Sequence, residues 1–267
     1  MKKKVIWIVV ILTLLFVGCV TVYNPATGRR ESYLFDEKYE INLGNNVAKQ
    51  IISQTKMVDD SEALAYVREI GEKVAAASHR SYLDYKFYIV DSEEINAFAL
   101  LGGHIFVNKG LIDTVSEDEL AFVLSHEVGH VCARHGMKRF QAAFGLQLLM
   151  AVLSSQSDQK AIGNLIGEVD KYVSLGFSRK DEYQADALGV TYAYQAGYDP
   201  KAALATFERF EEIEKEYDSA AMPVFLRSHP KPKDRYTAAN IKIKELMSSD
   251  TEDSSSKIKD FRKKSSE

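Results

Sequence analysis

The sequence predicts an α+β fold, mainly helical, with one small sheet. Apolar residues recur at helical spacing in segments beginning near residues 36, 61, 116, 178 and 234. Only the span Tyr85–Asn108 carries short alternating runs of β-branched and aromatic residues, the pattern of strands. The 267 residues are 46% apolar and 27% charged, which excludes a disordered chain, a collagen-like fibre and a polytopic membrane protein. Basic residues number 34 and acidic ones 38, so the chain lacks the basic surplus of a nucleic-acid binder. Two cysteines are too few for a disulfide-stapled scaffold.

The first residues read as an address. Lys2, Lys3 and Lys4 precede an apolar run from Val5 to Val17, the pattern of a signal peptide over residues 1–18. Gly18 before Cys19 resembles a bacterial lipobox, which implies cleavage before Cys19 and a lipid on its new N-terminus. Removing three lysines then takes the net charge from −4 to −7. The alternative is an uncleaved signal anchor, since Val5–Val22 reaches the lower length limit for a spanning helix. Either way the body lies outside the cytoplasmic membrane. Val20, where Asp would retain a lipoprotein at the inner membrane, resembles outer-membrane sorting and a periplasmic location in a Gram-negative cell. In a Gram-positive cell the protein would sit on the outer face of its membrane.

Residues 20–60 form a leader and a first helix. Val20–Arg30 reads as irregular, with turns at Asn24-Pro25 and Thr27-Gly28. Asp36 caps a helix running to about Gln54. The main domain spans 61–247. Ser61 opens a helix with Leu64, Val67, Ile70 and Val74 on one face. Tyr85–Val90, Ala97–Leu101 and His104–Asn108 are strands, the last two joined through Gly102-Gly103. Ser116 and Glu119 make a capping box for a helix reaching about His135. Residues 140–153 are unusually apolar and read as core, as a lid or as a membrane-facing surface. A further helix covers 178–196 and stops at Gly197. Asp199-Pro200 restarts the chain as cap and first helical position. Ser228–Pro232 is a proline-stiffened loop before a last helix at 234–247. Residues 248–267 hold seven serines and ten charges and read as a disordered tail.

The chemistry concentrates in His126-Glu127-Val128-Gly129-His130, an H-E-x-x-H pattern on a predicted helix. Residues four apart share a face, so both imidazoles can meet one metal ion while Glu127 points aside. A catalytic zinc needs a third protein ligand. The pattern with a third histidine fails, because Ala133 and Gly136 occupy its positions. On a continued helix His135 would lie about 140° round from His130. The other source is the later segment Ser178–Asp186, where Glu182 and Asp186 stand four apart, flanked by small Ala185 and Gly189. Glu182 as ligand and Asp186 as acceptor for a ligating histidine would complete a site. Two solvated carboxylates on a charged face would look the same in sequence.

Together these segments resemble the zinc metallopeptidases of the HtpX, BepA and CaaX-prenyl-protease type, metallopeptidase family forty-eight, over roughly residues 24 to 240. The resemblance lies in Asn24-Pro-Ala-Thr-Gly-Arg29, Asn96–Val107, His126–Gly136, Ser178–Asp186, Ser228-His229-Pro230 and Arg235. Leu101 departs from the proline common there. The resemblance implies a gluzincin fold whose small sheet has an edge strand along the active-site cleft. It implies one zinc per chain held by His126, His130 and Glu182, with Glu127 as catalytic acid/base and Asp186 behind a ligand.

His229 becomes a candidate oxyanion stabiliser, or an imidazole that fills zinc's open position at rest. Arg235 would serve the same oxyanion or pair with Asp186. Gly102–Asn108 is the candidate substrate rail: an exposed edge strand pairs with an extended peptide, and Gly102 and Gly103 would leave it room beside His104, Ile105 and Phe106. His104 reads as surface or cleft wall. Cys132, about 200° round the helix from His130, reads as a small buried hydrophobe.

The expected activity is metal-assisted hydrolysis of peptide bonds in misfolded or stalled envelope proteins. Its partners would be unfolded or misassembled polypeptides, the membrane through the N-terminal lipid, and outer-membrane assembly machinery, with no nucleic acid. The alternatives are a latent protease-fold binding or assembly factor for outer-membrane proteins, and another zinc hydrolase such as a cell-wall amidase.

Overall fold

A computed structural model describes residues 20–154, 176–216, 222–229 and 232–264. Residues 1–19, with the expected signal segment and Cys19, lie outside them. Among the described residues no helix is long and apolar enough to cross a membrane.

The leader is ordered rather than irregular. β1 (Val20–Asn24) and β2 (Arg29–Tyr33) form an antiparallel hairpin around the expected Asn24–Gly28 turn. β1 carries only the brief alternation Val20-Thr21-Val22, and β2 is polar at its first four positions, so no sustained apolar period marks the pair. Helix α1 (Glu37–Gln54) starts where expected, with the Asp36 carboxylate accepting from the Tyr39 amide. Helix α2 (Ser61–Ala76) is capped by Asp60.

β3 (Lys86–Val90), β4 (Ala97–Ala99) and β5 (His104–Asn108) form one sheet in the order β3-β5-β4. β5 is parallel to β3 and antiparallel to β4. This corrects the expected substrate rail: β5 is the central strand, buried at all five positions, and β3 and β4 hold the edges. Ile105 and Phe106 are core residues with no exposed surface. Gly102 and Gly103 do take the left-handed backbone a tight turn needs, at φ 75° and 94°. The space above them is already filled, by Ile41 of α1 and by Tyr85. His104 is likewise interior, 4% exposed, with Nε2 donating to Asn45 Oδ1 at 2.9 Å and Tyr88 Oη 3.0 Å from Nδ1. Burial pushes its pKa down to about 4. A parallel β3–β5 pair, reached through the β4 excursion, places β5 in the middle, and residue-by-residue patterning cannot reveal that order.

After the short α3 (Lys109–Ile112), α4 (Glu117–Cys132) runs through the centre of the molecule, capped by the predicted Ser116/Glu119 box. Every residue of α4 from Glu119 onward is buried. Val67, Ile70 and Val74 of α2, Phe87 and Ile89 of β3, and Val123, Leu124 and Val128 of α4 share the main core.

α5 (His135–Ser154) follows after a two-residue break. Its Met137 and Phe140 pack with Tyr33, Leu43 and Leu101, so the start of the apolar segment belongs to the core. Leu146 is 61% exposed, and the side chains of 147–153 lie outside the described residues. α6 (Arg179–Gln195) packs along α4, followed by α7 (Ala202–Glu216), the short α8 (Val224–Ser228) and α9 (Pro232–Lys264). Residues 248–264, expected as a disordered tail, continue α9. The stretch after Pro232 holds neither Gly nor Pro, so nothing in it stops a helix once begun.

Candidate metal centre

The crossing of α4 and α6 sets the site. A Cβ at Gly129 would stand 2.9 Å from the Ala185 carbonyl oxygen, and one at Gly189 would stand 3.0 Å from the His126 amide nitrogen. Two glycines facing across the crossing let the backbones approach closely enough for side chains of both helices to share one centre. α6 starts with the Ser178 hydroxyl accepting from the Asp181 amide, which puts Glu182 and Asp186 on the buried face.

Four side chains converge. His126 Nε2 lies 3.0 Å from His130 Nε2 and 3.3 Å from His229 Nδ1. Glu182 Oε2 is 2.8 Å from His229 Nδ1 and 3.6 Å from His126 Nε2, and Glu182 Oε1 is 3.6 Å from His130 Nε2. One ligand atom from each lies within 4.8 Å of all the others, and all four residues are buried.

These residues fit a bound metal ion on two grounds. First, His126 Nδ1 is 2.9 Å from Asp186 Oδ1, so Nδ1 carries the proton and Nε2 presents a lone pair to the centre. An imidazole lone pair pointed inward, with further imidazoles and a carboxylate around it, fits a metal donor set. Second, neither oxygen of the buried Glu127 carboxylate has a side-chain hydrogen-bond partner, and the Ala99 backbone is the polar group that acts on it, although a buried polar atom is costly to leave unsatisfied. His229 Nε2 lies 3.8 Å from Glu127 Oε1.

The electrostatics follow the packing. Burial raises the Glu127 pKa, against the pull of His229 and His126. Burial also holds His130 well below the ordinary imidazole range, with the neighbouring histidines adding to it. For Asp186 burial alone would raise the pKa, but Arg235 and His126 outweigh it and hold the carboxyl at about 2. Glu182 overcomes burial at His229 and raises it.

Arg235 takes one of its two expected roles. Its Nε donates to Asp186 Oδ2 at 2.8 Å, its Nη2 to Asp186 Oδ1 at 2.6 Å and its Nη1 to the His229 carbonyl at 3.0 Å. It therefore orients both Asp186 and the loop that carries His229. His229 stands within the donor cluster rather than at a distance suited only to an oxyanion. The rail residues Gly102 to Phe106 do not reach the centre; β4 packs on α4 instead, and Ala99 and Leu100 line a small cavity with His130 and Phe177.

Two neighbours were missed. Phe177 stacks on the His130 ring at 3.9 Å, and nothing in the sequence singles it out. His135 Nδ1 is 2.9 Å from His130 Nδ1. The helical reading had turned it away, but α4 ends at Cys132 and Arg134 takes φ 55°, which aims the chain back toward the centre.

The family model for peptidase family M48 matches residues 61–242. The Escherichia coli (strain K12) protein named beta-barrel assembly-enhancing protease is 25% identical over 220 residues, covering 78% of this chain and 44% of its own length. A putative beta-barrel assembly-enhancing protease of Vibrio cholerae is 28% identical over 210 residues, covering 74% and 43%. The mitochondrial metalloendopeptidase OMA1 of Schizosaccharomyces pombe is 28% identical over 222 residues, covering 80% and 64%. The crystal structure of S. mikatae Ste24p aligns with 18% identity and a TM-score of 0.41, over 73% of this chain and 55% of that one. This chain spans less than half the length of the first bacterial relatives. The matched span holds the H-E-x-x-H helix, Glu182, Asp186, His229 and Arg235, and the chain belongs to peptidase family M48.

Proposed function

We propose that the protein is a zinc metalloendopeptidase that hydrolyses peptide bonds in misfolded or stalled envelope proteins and is latent at rest. The observation that carries the activity is the buried Glu127 carboxylate, without a side-chain partner, beside a cluster of three histidines and a carboxylate. When bound, zinc supplies Lewis acidity toward the scissile carbonyl and lowers the pKa of water there. His126, His130 and Glu182 hold it. Glu127, raised by burial, takes a proton from the attacking water and delivers it to the leaving amine. Asp186 fixes the His126 tautomer, and Arg235 fixes Asp186.

β4 is the candidate rail for an extended chain. Its neighbours Asn96 and Leu100 bond to β5, through Asn108 N–H to Asn96 O and Leu100 N–H to His104 O. The antiparallel alternation then turns the backbone groups of Ala97 and Ala99 away from β5, where the Ala99 backbone also acts on Glu127. A backbone rail suits unfolded polypeptide of any sequence.

Latency rests on His229, whose ring stands in the donor cluster with Nδ1 donating to Glu182 Oε2 at 2.8 Å. An imidazole hydrogen-bonded to a ligating carboxylate occupies the space that catalysis needs open. Cleavage then requires the 222–229 segment to withdraw. The signal segment and Cys19 support a lipid-anchored periplasmic location, and the relatives named for β-barrel assembly support outer-membrane clients.

Cleavage of unfolded casein by the chain from residue 20, with and without chelator, tests this reading. Wild type should cleave, Glu127→Gln should not, and His229→Ala should cleave faster than wild type. Equal cleavage by wild type and Glu127→Gln would refute the mechanism. A His229→Ala protein that binds zinc and stays inactive would favour the binding-factor reading.

A further inference from the structure

We infer that His135 is the positioning residue of His130, accepting its Nδ1–H and so holding the His130 Nε2 lone pair on the metal centre. This rests on the reading of His130 as a zinc ligand.

The assignment follows from proton bookkeeping along one chain of contacts. His135 Nε2 lies 3.0 Å from Gln184 Oε1 and 3.4 Å from Asp181 Oδ1. Flipping the Gln184 amide would turn a donor toward the ring, but a carboxylate offers only acceptors, so His135 Nε2 carries the proton. A neutral imidazole then has its lone pair on Nδ1. That atom faces His130 Nδ1 at 2.9 Å, so His130 donates there and its own lone pair falls on Nε2. His130 Nε2 is the atom 3.0 Å from His126 Nε2.

The two ligating histidines are thus oriented by different chemistry. His126 donates to the carboxylate of Asp186. His130 donates to an imidazole, which passes the hydrogen-bond direction on to the start of α6. Asp181, the nearest carboxylate on that side, sits in the first turn of α6 with its side chain 32% exposed. The centre already holds three buried carboxylates, Glu127, Glu182 and Asp186. An imidazole acceptor orients His130 without adding a fourth. The relay also ties the second ligand to the helix that carries the third, because Asp181 and Gln184 bracket Glu182 in one turn. The left-handed Arg134 makes the contact available by ending α4 and returning His135 to the His130 ring.

The test is Zn²⁺ alone, titrated into the protein from residue 20 against a competing chelator dye, with thermal unfolding of the metal-free proteins alongside. His135→Phe keeps ring volume and loses the acceptor. It should weaken zinc binding about 10- to 100-fold. His135→Asn puts an oxygen near the Nδ1 position and should recover most of that loss, although it packs less well than Phe. A merely structural role predicts the reverse ranking. If wild type binds no zinc, the ligand reading falls and takes this one with it. If wild type binds and His135→Phe binds equally, only this inference falls.

Wild-type zinc-loaded protein gives a second readout that needs no variant. The chain has six histidines, few enough for ¹⁵N-imidazole spectra to resolve. His135 should carry its proton on Nε2, and a coupling should cross from His130 Nδ1 to His135 Nδ1. A His135 protonated on Nδ1 overturns the proposal.

Discussion

Helix α4 separates two buried charge clusters with opposite bookkeeping. At its C-terminal end Glu40, 1% exposed, has both oxygens matched: Oε1 accepts from Arg80 Nη1 at 3.0 Å and Oε2 from Arg134 Nε at 2.7 Å. Arg80 Nη1 also donates to the Val131 carbonyl, and Asn24 Nδ2 donates to the Cys132 carbonyl. Asn24 of the hairpin and Arg80 of the turn after α2 thus satisfy the last carbonyls of α4, and Glu40 of α1 holds the cations at its negative end. On the metal-facing side Asp186 is matched by Arg235, but Glu127 has no side-chain partner and the His126 and His130 Nε2 atoms face each other at 3.0 Å. The lesson is that buried charge by itself does not mark a site. Matched charge joins elements, and unmatched charge waits for a ligand or a substrate.

The largest expected effect would break the comparison outright. Glu127→Gln should lower cleavage of unfolded protein about 10²- to 10⁴-fold, the share usually carried by a general base. The same change should leave the unfolding temperature unchanged or raised, because it removes a buried carboxylate that has no side-chain partner. A variant that cleaves normally would remove Glu127 from the mechanism.

Glu40→Ala is the mirror case. It leaves Arg80 and Arg134 buried without their shared partner and should cost about 3–5 kcal/mol in denaturant unfolding. Zinc affinity of the folded fraction should stay at the wild-type value. A loss under 1 kcal/mol would mean the leader is not stapled to α4 through this residue.

Asp186→Asn should weaken zinc about 10- to 100-fold in chelator competition by releasing the His126 tautomer. Unchanged affinity would show that His126 is oriented by other contacts.

Acid titration gives a smaller effect. Folding holds Asp186 at about 2, below the ordinary aspartate value, through Arg235 and His126. A depressed folded pKa contributes stability at pH above the unfolded value, here lost as the pH falls from about 4 to about 2. The contribution is about 2 kcal/mol. Metal-free wild type should lose it over that window, and Asp186→Asn should not. Identical acid profiles would discount the Asp186–Arg235 pair as a stabilising contact.

Much of the site is readable from the chain because it rests on helix pitch. Residues four apart share a face, which pairs His126 with His130 and Glu182 with Asp186 whatever the rest of the fold does. Capping boxes at Ser116 and Ser178 mark where both helices begin, and small residues at 129, 185 and 189 announce their close crossing. The hairpin was less readable, since β1 alternates only briefly and β2 is polar at its first four positions.

Pitch stops being informative where the helix stops. His135 faces His130 because Arg134 leaves the helical region, a conformation held by Glu40 and by stacking over Tyr33 at 3.8 Å. Both partners are distant in the chain. Arg235 chooses Asp186, and His229 reaches Glu182, across nearly fifty residues for the same reason. The sheet order is also a tertiary outcome: β5 pairs on both sides, and the edges fall to β3 and β4. The amino-acid sequence by itself therefore determined which groups could share a helix face. Only packing between elements decided which of them meet, because close contact between distant segments depends on how helices cross and strands order, and no local period encodes that.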